Sequence, residues 1–288
     1  MVRDYRPIQS PKLQKEMQRP GYSYQEYAPC EKLAPHVACY WTLDYHAEAE
    51  RQLHRIIPDG CVDIIVDRLS PSGWKSAFVA GLMTQFEVLS LSGPQSLFGI
   101  RFYTESAQSF LKFPVSAFLG HHVFLEEIWG AEGLYFAEEI LAALTVTAVI
   151  HTVEKKLQQL LHAEAASSHP LVRTSLQVMY ASKGVLSTSD LADQLSFSER
   201  HVRRTFDREL GVSPKEMLGI IRFQSMLQEL YSSAVPSFTD MALKYGYYDQ
   251  SHFIKSFKRY YGMLPKQIWT RQGDDRSRKK QDVRFFLF

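Results

Sequence analysis

Cysteine is scarce in this chain: the 288 residues include three, Cys30, Cys39 and Cys61, and none belongs to a CxxC pair. A disulfide framework or a structural zinc site needs more thiols at regular spacing. The sequence therefore predicts buried, unpaired thiols. A redox-active or metal-sensing thiol is the alternative that these positions leave open.

Long apolar runs are also missing. The longest apolar stretch, residues 140–150, is interrupted by threonines and is shorter than the roughly 18 to 20 residues that a membrane span needs. The residues from Met1 to Tyr5 do not resemble the apolar core of a signal peptide. We therefore expect a cytoplasmic protein with no membrane partner.

Charge is unevenly distributed, although the net charge of the whole chain is only +2. Residues 170–288 hold 19 Lys and Arg against 12 Asp and Glu, a net charge of +7. Residues 1–169 hold 14 against 19, a net charge of −5. Because basic surfaces attract polyanions, this asymmetry favours a nucleic-acid partner for the C-terminal half.

The first hundred residues have the pattern of β-strands. Turns rich in proline and glycine at 58–60, 71–73 and 92–94 separate short runs of valine, isoleucine and aromatic residues. The predicted strands are 37–43, 55–57, 61–66, 77–80, 87–91 and 97–103. This pattern favours an antiparallel β-barrel or β-sandwich.

From Glu105 onward, apolar residues recur at the spacing of α-helices. A stripe of valine and leucine from Val149 to Leu161 has charged residues beside it, and it packs either on its own domain or on a second subunit. The small, polar segment 165–170 ends in proline and is typical of a linker. The predicted fold class is therefore α+β with two domains, of which the second is all-α.

Two segments about fifty residues apart in the C-terminal half follow the same order of residue types. Ser187 and Ser237 each precede an aspartate by three residues, which predicts a capped short helix. A tight turn follows, and a second cap, Ser198 or Asp249, begins a longer helix. This is the plan of a helix-turn-helix unit, and the repeat predicts two of them in tandem.

Each longer helix has one apolar face and a predicted end. The apolar residues recur at four-residue spacing, and they are Val202, Phe206 and Leu210 in the first copy and Phe253, Phe257 and Tyr261 in the second. Gly211 and Gly262 are expected to end the helices in a left-handed conformation. Between the copies, residues 214–231 predict a helix about 25 Å long that sets the two longer helices into successive major grooves.

The opposite face of each longer helix provides candidate DNA-binding residues. In the first helix these are Arg200, Arg203 and Arg204, and arginine matches guanine O6 and N7. In the second they are Gln250, Ser251, His252 and Lys255, which suit adenine, guanine or phosphate. The caps Ser198 and Asp249 stand at helix N-termini, which attract phosphate. A solvated helix surface is the alternative for both sets, and half-buried packing is the alternative for His252.

From Pro170 to Gln272, the sequence resembles the AraC/XylS family of bacterial transcription regulators. Residues 240–266, DMALKYGYYDQSHFIKSFKRYYGMLPK, follow the family signature nearly throughout. Tyr248 stands where the family more often has serine, and Met263-Leu264 replaces the usual Val-Ser. The resemblance implies a seven-helix DNA-binding module whose base-reading positions are Arg200, Arg203, Arg204, Gln250, Ser251 and Lys255.

The N-terminal half is similar to the sensory domain of one subgroup of this family, through residues 54–65, HRIIPDGCVDII, and 98–102, FGIRF. The resemblance implies a cupin-like barrel that binds a small effector and neighbouring helices that pair two subunits as a homodimer. RNA polymerase is a further partner if the protein is an activator. Arg55, Asp63 and Arg101 are the candidate effector ligands, although Asp63 is expected first to pair with Arg101 or to cap the turn at 58–60.

The predicted layout has five parts: a β-rich sensory domain at 1–115, a helical linking or dimerisation region at 116–164, the linker at 165–170, the DNA-binding domain at 171–272 and a tail at 273–288. The tail is basic and then apolar, and we hypothesise that its end docks as a strand or plug on the N-terminal domain or a partner. A disordered tail is the alternative.

We expect no catalytic residues, no metal and no cofactor. His54, Asp59, Cys61 and Asp63 are close in sequence, but the HxH pair with a glutamate and a later histidine of a cupin metal site is missing. The function predicted is effector-responsive regulation of transcription through double-stranded promoter DNA. The alternatives are DNA binding without effector sensing, and an enzyme or a thiol or metal sensor fused to the DNA-binding module.

Overall fold

The computed structural model describes residues 5–13, 20–46, 52–163, 169–232 and 237–268. The strands in these ranges are β1 Tyr22–Tyr27, β2 Val37–Tyr45, β3 Gln52–Ile56, β4 Cys61–Asp67, β5 Ala77–Ala80, β6 Glu87–Leu91, β7 Gln95–Tyr103 and β8 His122–Phe124. The helices are α1 Ser10–Leu13, α2 Thr104–Leu111, α3 Leu125–Trp129, α4 Ala131–Ala142, α5 Val146–Ala163, α6 Pro170–Ala181, α7 Thr188–Gln194, α8 Glu199–Leu210, α9 Pro214–Ser232, α10 Phe238–Lys244 and α11 Gln250–Tyr261. Within these ranges, no helix combines the length and apolar character required to cross a bilayer.

The N-terminal half is built on antiparallel sheets, as the sequence predicts. A six-stranded sheet has the order β1-β2-β7-β4-β5-β8, and β3 pairs with β6 in a separate two-stranded sheet. Each of the six predicted strands is present, and the α+β class is confirmed. Strands β1 and β8 were not among the predicted strands, because β1 is mostly polar and β8 has only three residues.

The two faces of the six-stranded sheet pack differently. Phe98, Ile100 and Phe102 of β7 are buried in the main core, together with residues of the helices. Alternate residues of a strand point to opposite faces, so Gly99 and Arg101 belong to the other face. There Trp41, Leu43 and Tyr45 of β2 form a second cluster with Leu91 of β6. We call this second side the inner face, since β6 of the smaller sheet packs on it.

The helix stripe in α5 packs on its own chain. Val149, Val153 and Leu157 are fully buried in the main core, and Leu160 and Leu161 lie half-buried against it. Of the two alternatives for this stripe, packing within the chain is therefore the one that the structure shows. A second subunit would have to use other residues.

The C-terminal half contains the two predicted helix-turn-helix units, α7–α8 and α10–α11, with α9 between them. Helix α9 spans Pro214–Ser232, so its prediction from the sequence is confirmed. The predicted linker, 165–170, lies mostly outside the described residues, which stop at 163 and begin again at 169. The predicted tail, 273–288, lies entirely outside them. Helix α6 begins at Pro170, where the sequence placed the end of the linker.

A short N-terminal segment, residues 5–13, lies between the two halves. The ring of Tyr5 stacks on Tyr180 of α6 with a centroid distance of 4.5 Å. The buried side chain of Gln224, in the middle of α9, accepts the Ile8 N–H at 2.8 Å and donates to the Pro58 carbonyl at 2.7 Å. The main core therefore continues from the sheet into α6 to α9.

Candidate functional site

The first helix-turn-helix unit is positioned by its caps and one apolar face. Ser187 and Asp190 form a reciprocal capping box at the start of α7, and the Ser198 hydroxyl accepts the His201 N–H at 3.2 Å at the start of α8. Val202 and Phe206 are buried in the core, as the spacing predicts. The register of α8 is thereby fixed, and its other face is turned outward.

The outward face of α8 carries the three predicted arginines. Arg200, Arg203 and Arg204 are exposed, and the Arg203 side chain is 74% accessible. Arg203 Nε lies 3.8 Å from Asp207 Oδ2, an exposed contact that contributes little to stability. The three guanidinium groups are thus free to meet an anionic partner along the N-terminal half of the helix.

Helix α11 of the second unit is built in the same way. Asp249 Oδ1 accepts the His252 N–H at 2.6 Å, and Phe253 and Phe257 are fully buried. The predicted reading residues Gln250, Ser251, His252 and Lys255 are all exposed. His252 is therefore not a half-buried packing residue, although its ring meets Tyr247 edge-on at 5.4 Å.

An aromatic residue directly precedes each of these caps, and neither was among the predicted site residues. Phe197 is 47% exposed and stacks on His201 at 5.0 Å, whereas Tyr248 is 90% exposed. The repeat contains the relevant signal, because an aromatic residue stands immediately before the cap in both copies. Each ring lies beside a helix N-terminus, and helix N-termini attract anions.

Helix α9 is fixed to both units by polar contacts. Arg222 Nε donates to the Gly184 carbonyl at 2.9 Å, in the turn that leads into α7. Glu216 accepts the Tyr260 hydroxyl at 3.0 Å and Arg259 Nη2 at 2.7 Å, both from α11. The two helix-turn-helix units are therefore connected through helix α9, and we call their longer helices, α8 and α11, the reading helices.

The inner face of the sheet contains a buried charge cluster, formed by Arg101, Asp59 and Asp63. Arg101 Nη2 lies 2.9 Å from Asp63 Oδ2, and Arg101 Nε lies 3.0 Å from Asp59 Oδ2. Trp41 Nε1 also donates to Asp63, at 2.9 Å. Burial disfavours the charge on Arg101, but the two carboxylates outweigh that effect and hold the pKa of the guanidinium well above its ordinary value.

The predicted pairing of Asp63 with Arg101 is confirmed, and the turn is capped by a different residue. Asp59 Oδ1 accepts the Cys61 N–H at 3.0 Å, so Asp59 closes the turn at 58–60. Arg101 Nη1 is buried and has no hydrogen-bond partner among the described residues. Among the described residues, one donor of this cluster is therefore not used.

Arg55 does not join this cluster, in contrast to the predicted grouping of Arg55, Asp63 and Arg101. Neighbouring residues of a strand face opposite sides, and it is His54 of β3 that is buried. Arg55 instead donates from Nη1 to the Tyr261 carbonyl at 2.8 Å, at the end of α11. Arg55 is thus a contact between the two halves of the chain.

The prediction of buried, unpaired thiols is confirmed for Cys39 and Cys61 and is wrong in burial for Cys30. Cys39 and Cys61 are buried, Cys30 is half-buried, and all three are free. Burial raises the pKa of Cys39 to about 12, which disfavours the reactive thiolate. In the part of the chain that the structure describes, no group of three or more His, Cys, Asp and Glu residues is arranged to hold a metal ion.

His54 is buried beside the cluster, and its ring Nδ1 lies 2.9 Å from the Tyr22 hydroxyl. Burial, and to a smaller extent Arg101, lowers the pKa of His54 to about 4. In the unfolded chain His54 takes up a proton near pH 6.5, whereas in the folded chain it resists protonation down to about pH 4. The stability that the neutral ring of His54 contributes is therefore fully present above pH 6.5 and is lost as the pH falls toward 4.

We expect this titration to be visible in His54→Asn, which retains an acceptor for Tyr22. Between pH 7.5 and pH 4.5, the free energy of unfolding should fall by about 2 kcal/mol more in the wild-type chain than in the variant. Urea denaturation at the two pH values measures the difference. If the wild-type chain and the variant lose the same free energy of unfolding between the two pH values, His54 is not the group responsible.

Comparison with known proteins agrees with the division into two parts. The family described as "Helix-turn-helix domain" matches residues 191–271, and "Domain of unknown function (DUF6597)" matches residues 25–124. The HTH-type transcriptional activators RhaS from Escherichia coli O9:H4 (strain HS) and from Escherichia coli (strain K12 / DH10B) are both 33% identical to this chain over 85 residues. Each match covers 30% of this chain and 30% of the relative's length.

Two solved structures resemble this chain, with low TM-scores. ToxT from Vibrio cholerae matches over 86% of this chain and 97% of its own, with 11% identity and a TM-score of 0.40. The C-terminal domain of AraT, a response regulator from Geobacillus stearothermophilus, matches over 35% of this chain and 84% of its own, with 29% identity and a TM-score of 0.32.

The C-terminal half has two capped helix pairs joined by helix α9, and the matched range 191–271 covers all of them except the start of α7. These features define it as a helix-turn-helix domain. The domain is of the AraC type, which confirms the resemblance found in the sequence. In this chain it follows a sheet domain that matches a family without an assigned function.

Proposed function

We propose that the chain is a sequence-specific DNA-binding transcription regulator of the AraC type. The observation that carries this proposal is the pair of exposed polar faces on α8 and α11, on helices that are capped alike and fixed to the same helix α9. Helix α9 has 19 residues and is therefore about 28 Å long, which suits two reading helices in neighbouring major grooves about 34 Å apart.

The proposal predicts a large effect of Arg204→Ala on DNA recognition. We expect affinity for a duplex selected by the full chain from a random pool to fall by about 1 to 3 kcal/mol, with relaxed preference at one base pair. The matched control is Arg208→Ala, which removes the same charge from the last turn of α8, far from its N-terminus. Binding titrations against the selected duplex and its single-base variants measure both effects.

An equal loss of affinity for selected and random duplexes would make Arg204 a phosphate contact rather than a base-reading residue. If the full chain selects no sequence at all, the proposal of sequence-specific binding fails. A selected duplex that Arg204→Ala and Arg208→Ala bind equally well would remove α8 from the proposed interface.

We further propose that the inner face of the sheet binds a small polar effector beside Arg101 and Asp63. The support is Arg101 Nη1, a buried donor without a hydrogen-bond partner among the described residues, on the guanidinium that pairs with Asp63. A polar effector would complete the hydrogen bonding of this group. DNA binding without effector sensing is the competing candidate, and it is favoured by the large side chains of Trp41 and Tyr45, which occupy part of the same face.

Addition of small sugars and carboxylic acids, one at a time, distinguishes these two candidates. An effector should raise the Tm of the full chain and change its protection of the selected duplex from cleavage. A panel in which no compound changes either quantity supports the competing candidate. A homodimer and a contact with RNA polymerase stay predictions from the family resemblance.

A further inference from the structure

Both reading helices end against the N-terminal half of the chain. At the end of α8, the Arg208 carbonyl accepts a hydrogen bond from the Ser116 hydroxyl at 2.6 Å. Ser116 lies in a 3-10 turn, Val115–Phe118, that follows α2. Ser116 is 92 residues from Arg208 in sequence, so this contact joins two distant parts of the chain.

The end of α11 has the equivalent contact from a different element. Arg55 of β3 donates from Nη1 to the Tyr261 carbonyl at 2.8 Å. Its guanidinium carbon also lies 5.3 Å from the centre of the Phe86 ring, just before β6. The last carbonyls of a helix have no partner within the helix, and a cation near them is favoured by the helix dipole. Arg55 satisfies both requirements at this end.

A glycine allows the N-terminal half of the chain to approach closely at the end of each reading helix. Gly211 and Gly262 end their helices with φ of 73° and 80°, in the left-handed region that the sequence predicts. A Cβ at Gly211 would lie 3.0 Å from Leu119 Cδ2, and a Cβ at Gly262 would lie 2.5 Å from both Arg55 Nη1 and the Phe86 ring. Each glycine therefore serves the helix end and the contact between the two halves.

The position of these contacts leaves the reading faces open. Each reading helix has 12 residues and is about 18 Å long. The N-terminal half of the chain touches the C-terminal end, whereas Arg200 and Gln250 lie near the other end, Arg204 lies at the middle of α8, and all three are exposed. A contact at one end of a rigid rod restricts the tilt of the whole rod without covering its far end.

We propose that the N-terminal half of the chain holds α8 and α11 in a fixed mutual geometry, with Ser116 and Arg55 as positioning residues for DNA recognition. The inference rests on the proposed function, since it requires both helices to read one duplex. It adds that the two helices are aligned from outside the helix-turn-helix domain, in addition to their connection through α9. Ser116 and Arg55 act through the helix ends and touch no DNA.

The test measures how DNA affinity depends on the number of base pairs between the two DNA segments that the chain protects. The probes are the duplex that the wild-type full chain selects from a random pool, and versions with one to five base pairs inserted between its two protected elements. Five base pairs turn one element by about half a helical turn. The wild-type chain should therefore lose more than roughly tenfold in affinity for that probe.

The variants are full-length Arg55→Met, Ser116→Ala and the double substitution. Methionine retains much of the apolar length beside Phe86 but has no donor. Loss of two hydrogen bonds, one of them from a charged group, should weaken binding of the selected duplex roughly tenfold in the double variant. The penalty for the five-base-pair insertion should at the same time shrink to roughly threefold or less, because the helices can tilt independently.

Matched controls remove two hydrogen bonds of the same kinds, one from an arginine and one from a serine, that lie wholly within the N-terminal half. Arg68 Nη2 donates to the Ala143 carbonyl at 3.1 Å, and the Ser76 hydroxyl donates to the Gly73 carbonyl at 2.6 Å. Arg68→Met and Ser76→Ala should keep the wild-type spacing profile. Arg55→Lys and Ser116→Thr retain a donor and should recover most of the spacing dependence.

The outcomes separate the inference from the function on which it rests. If the wild-type chain selects no sequence, the proposed function itself fails. If it selects one and the double variant keeps the wild-type penalty for insertion, Ser116 and Arg55 are not positioning residues. A uniform loss on every probe, together with a lower Tm, would likewise overturn the inference, because the contacts would then serve stability alone.

Discussion

Replacement of Arg101 by methionine should lower the free energy of unfolding by about 3 to 5 kcal/mol, because removal of one partner from a buried ion pair leaves an uncompensated charge. Two carboxylates, of Asp59 and Asp63, lie within 3.0 Å of the guanidinium nitrogens. The Arg101 side chain is 5% exposed, so water cannot replace it. Urea denaturation of the full chain measures the loss.

The dependence of this loss on pH provides a second check. Without Arg101, the Asp63 carboxyl can reduce the penalty by taking up a proton, because burial already raises the pKa of Asp63. A carboxyl group with a raised folded-state pKa gains relative stability as the pH falls. The deficit of Arg101→Met should therefore be smaller at pH 5 than at pH 8.

A double variant identifies the cause of the loss. In Arg101→Met with Asp63→Asn, one buried charge is removed while an acceptor for Trp41 Nε1 remains. We expect the double variant to recover part of the stability, so that the two substitutions are non-additive by more than about 1 kcal/mol. A loss below about 1 kcal/mol in Arg101→Met alone would show that the cluster is more hydrated than its burial indicates.

Gly184→Ala should destabilise the C-terminal half by about 2 to 5 kcal/mol. Gly184 has a φ of 72°, in the left-handed region, which alone costs a residue with a Cβ about 1 to 2 kcal/mol. The new Cβ would also overlap the Leu218 carbonyl oxygen and lie 2.5 Å from the Arg222 amide nitrogen. Both neighbours are backbone atoms of α9, so relief requires α9 to move, and such overpacking costs a further 1 to 3 kcal/mol or so.

Gly120→Ala is the matched control for this effect. Gly120 has a φ of 79°, and a Cβ there would meet nothing within 4 Å. The backbone strain is therefore alike in the two variants, and only Gly184 adds a close approach. We expect Gly120→Ala to lose about 1 to 2 kcal/mol in thermal or urea unfolding. Equal losses in the two variants would contradict the contact between Gly184 and α9.

The elements that the sequence specifies through neighbouring residues were predicted well. Caps such as Ser198 and Asp249 act on residues three positions away, and the apolar spacing of α8 and α11 is local as well. The repeat allowed each copy to support the interpretation of the other. The pairing of Asp63 with Arg101 also followed, since the motifs that contain them lie on neighbouring strands.

Contacts between distant segments were not predictable in the same way. The sequence predicts Arg55, Asp63 and Arg101 together as candidate effector ligands, but β3 belongs to a separate sheet and Arg55 contacts Tyr261 instead. The partner of Arg55 is 206 residues away, and nothing in either segment marks the other. The same holds for Gln224 and Ile8, which are 216 residues apart.

The bonds around Gln9 and Gln224 have a consequence for how the chain can be divided. Gln9 Nε2 donates to Asp59 Oδ2 at 2.8 Å, on the same carboxylate oxygen that meets Arg101, while Gln224 holds the adjacent Ile8 and Pro58. Asp59 is thus connected to the middle of α9 by two contacts of neighbouring residues, Asp59 with Gln9 and Ile8 with Gln224. Residues 5–13 therefore connect the buried charge cluster of the sheet with helix α9, which lies between the two helix-turn-helix units. An excised C-terminal half would expose to solvent the amide of Gln224, which is fully buried in the whole chain.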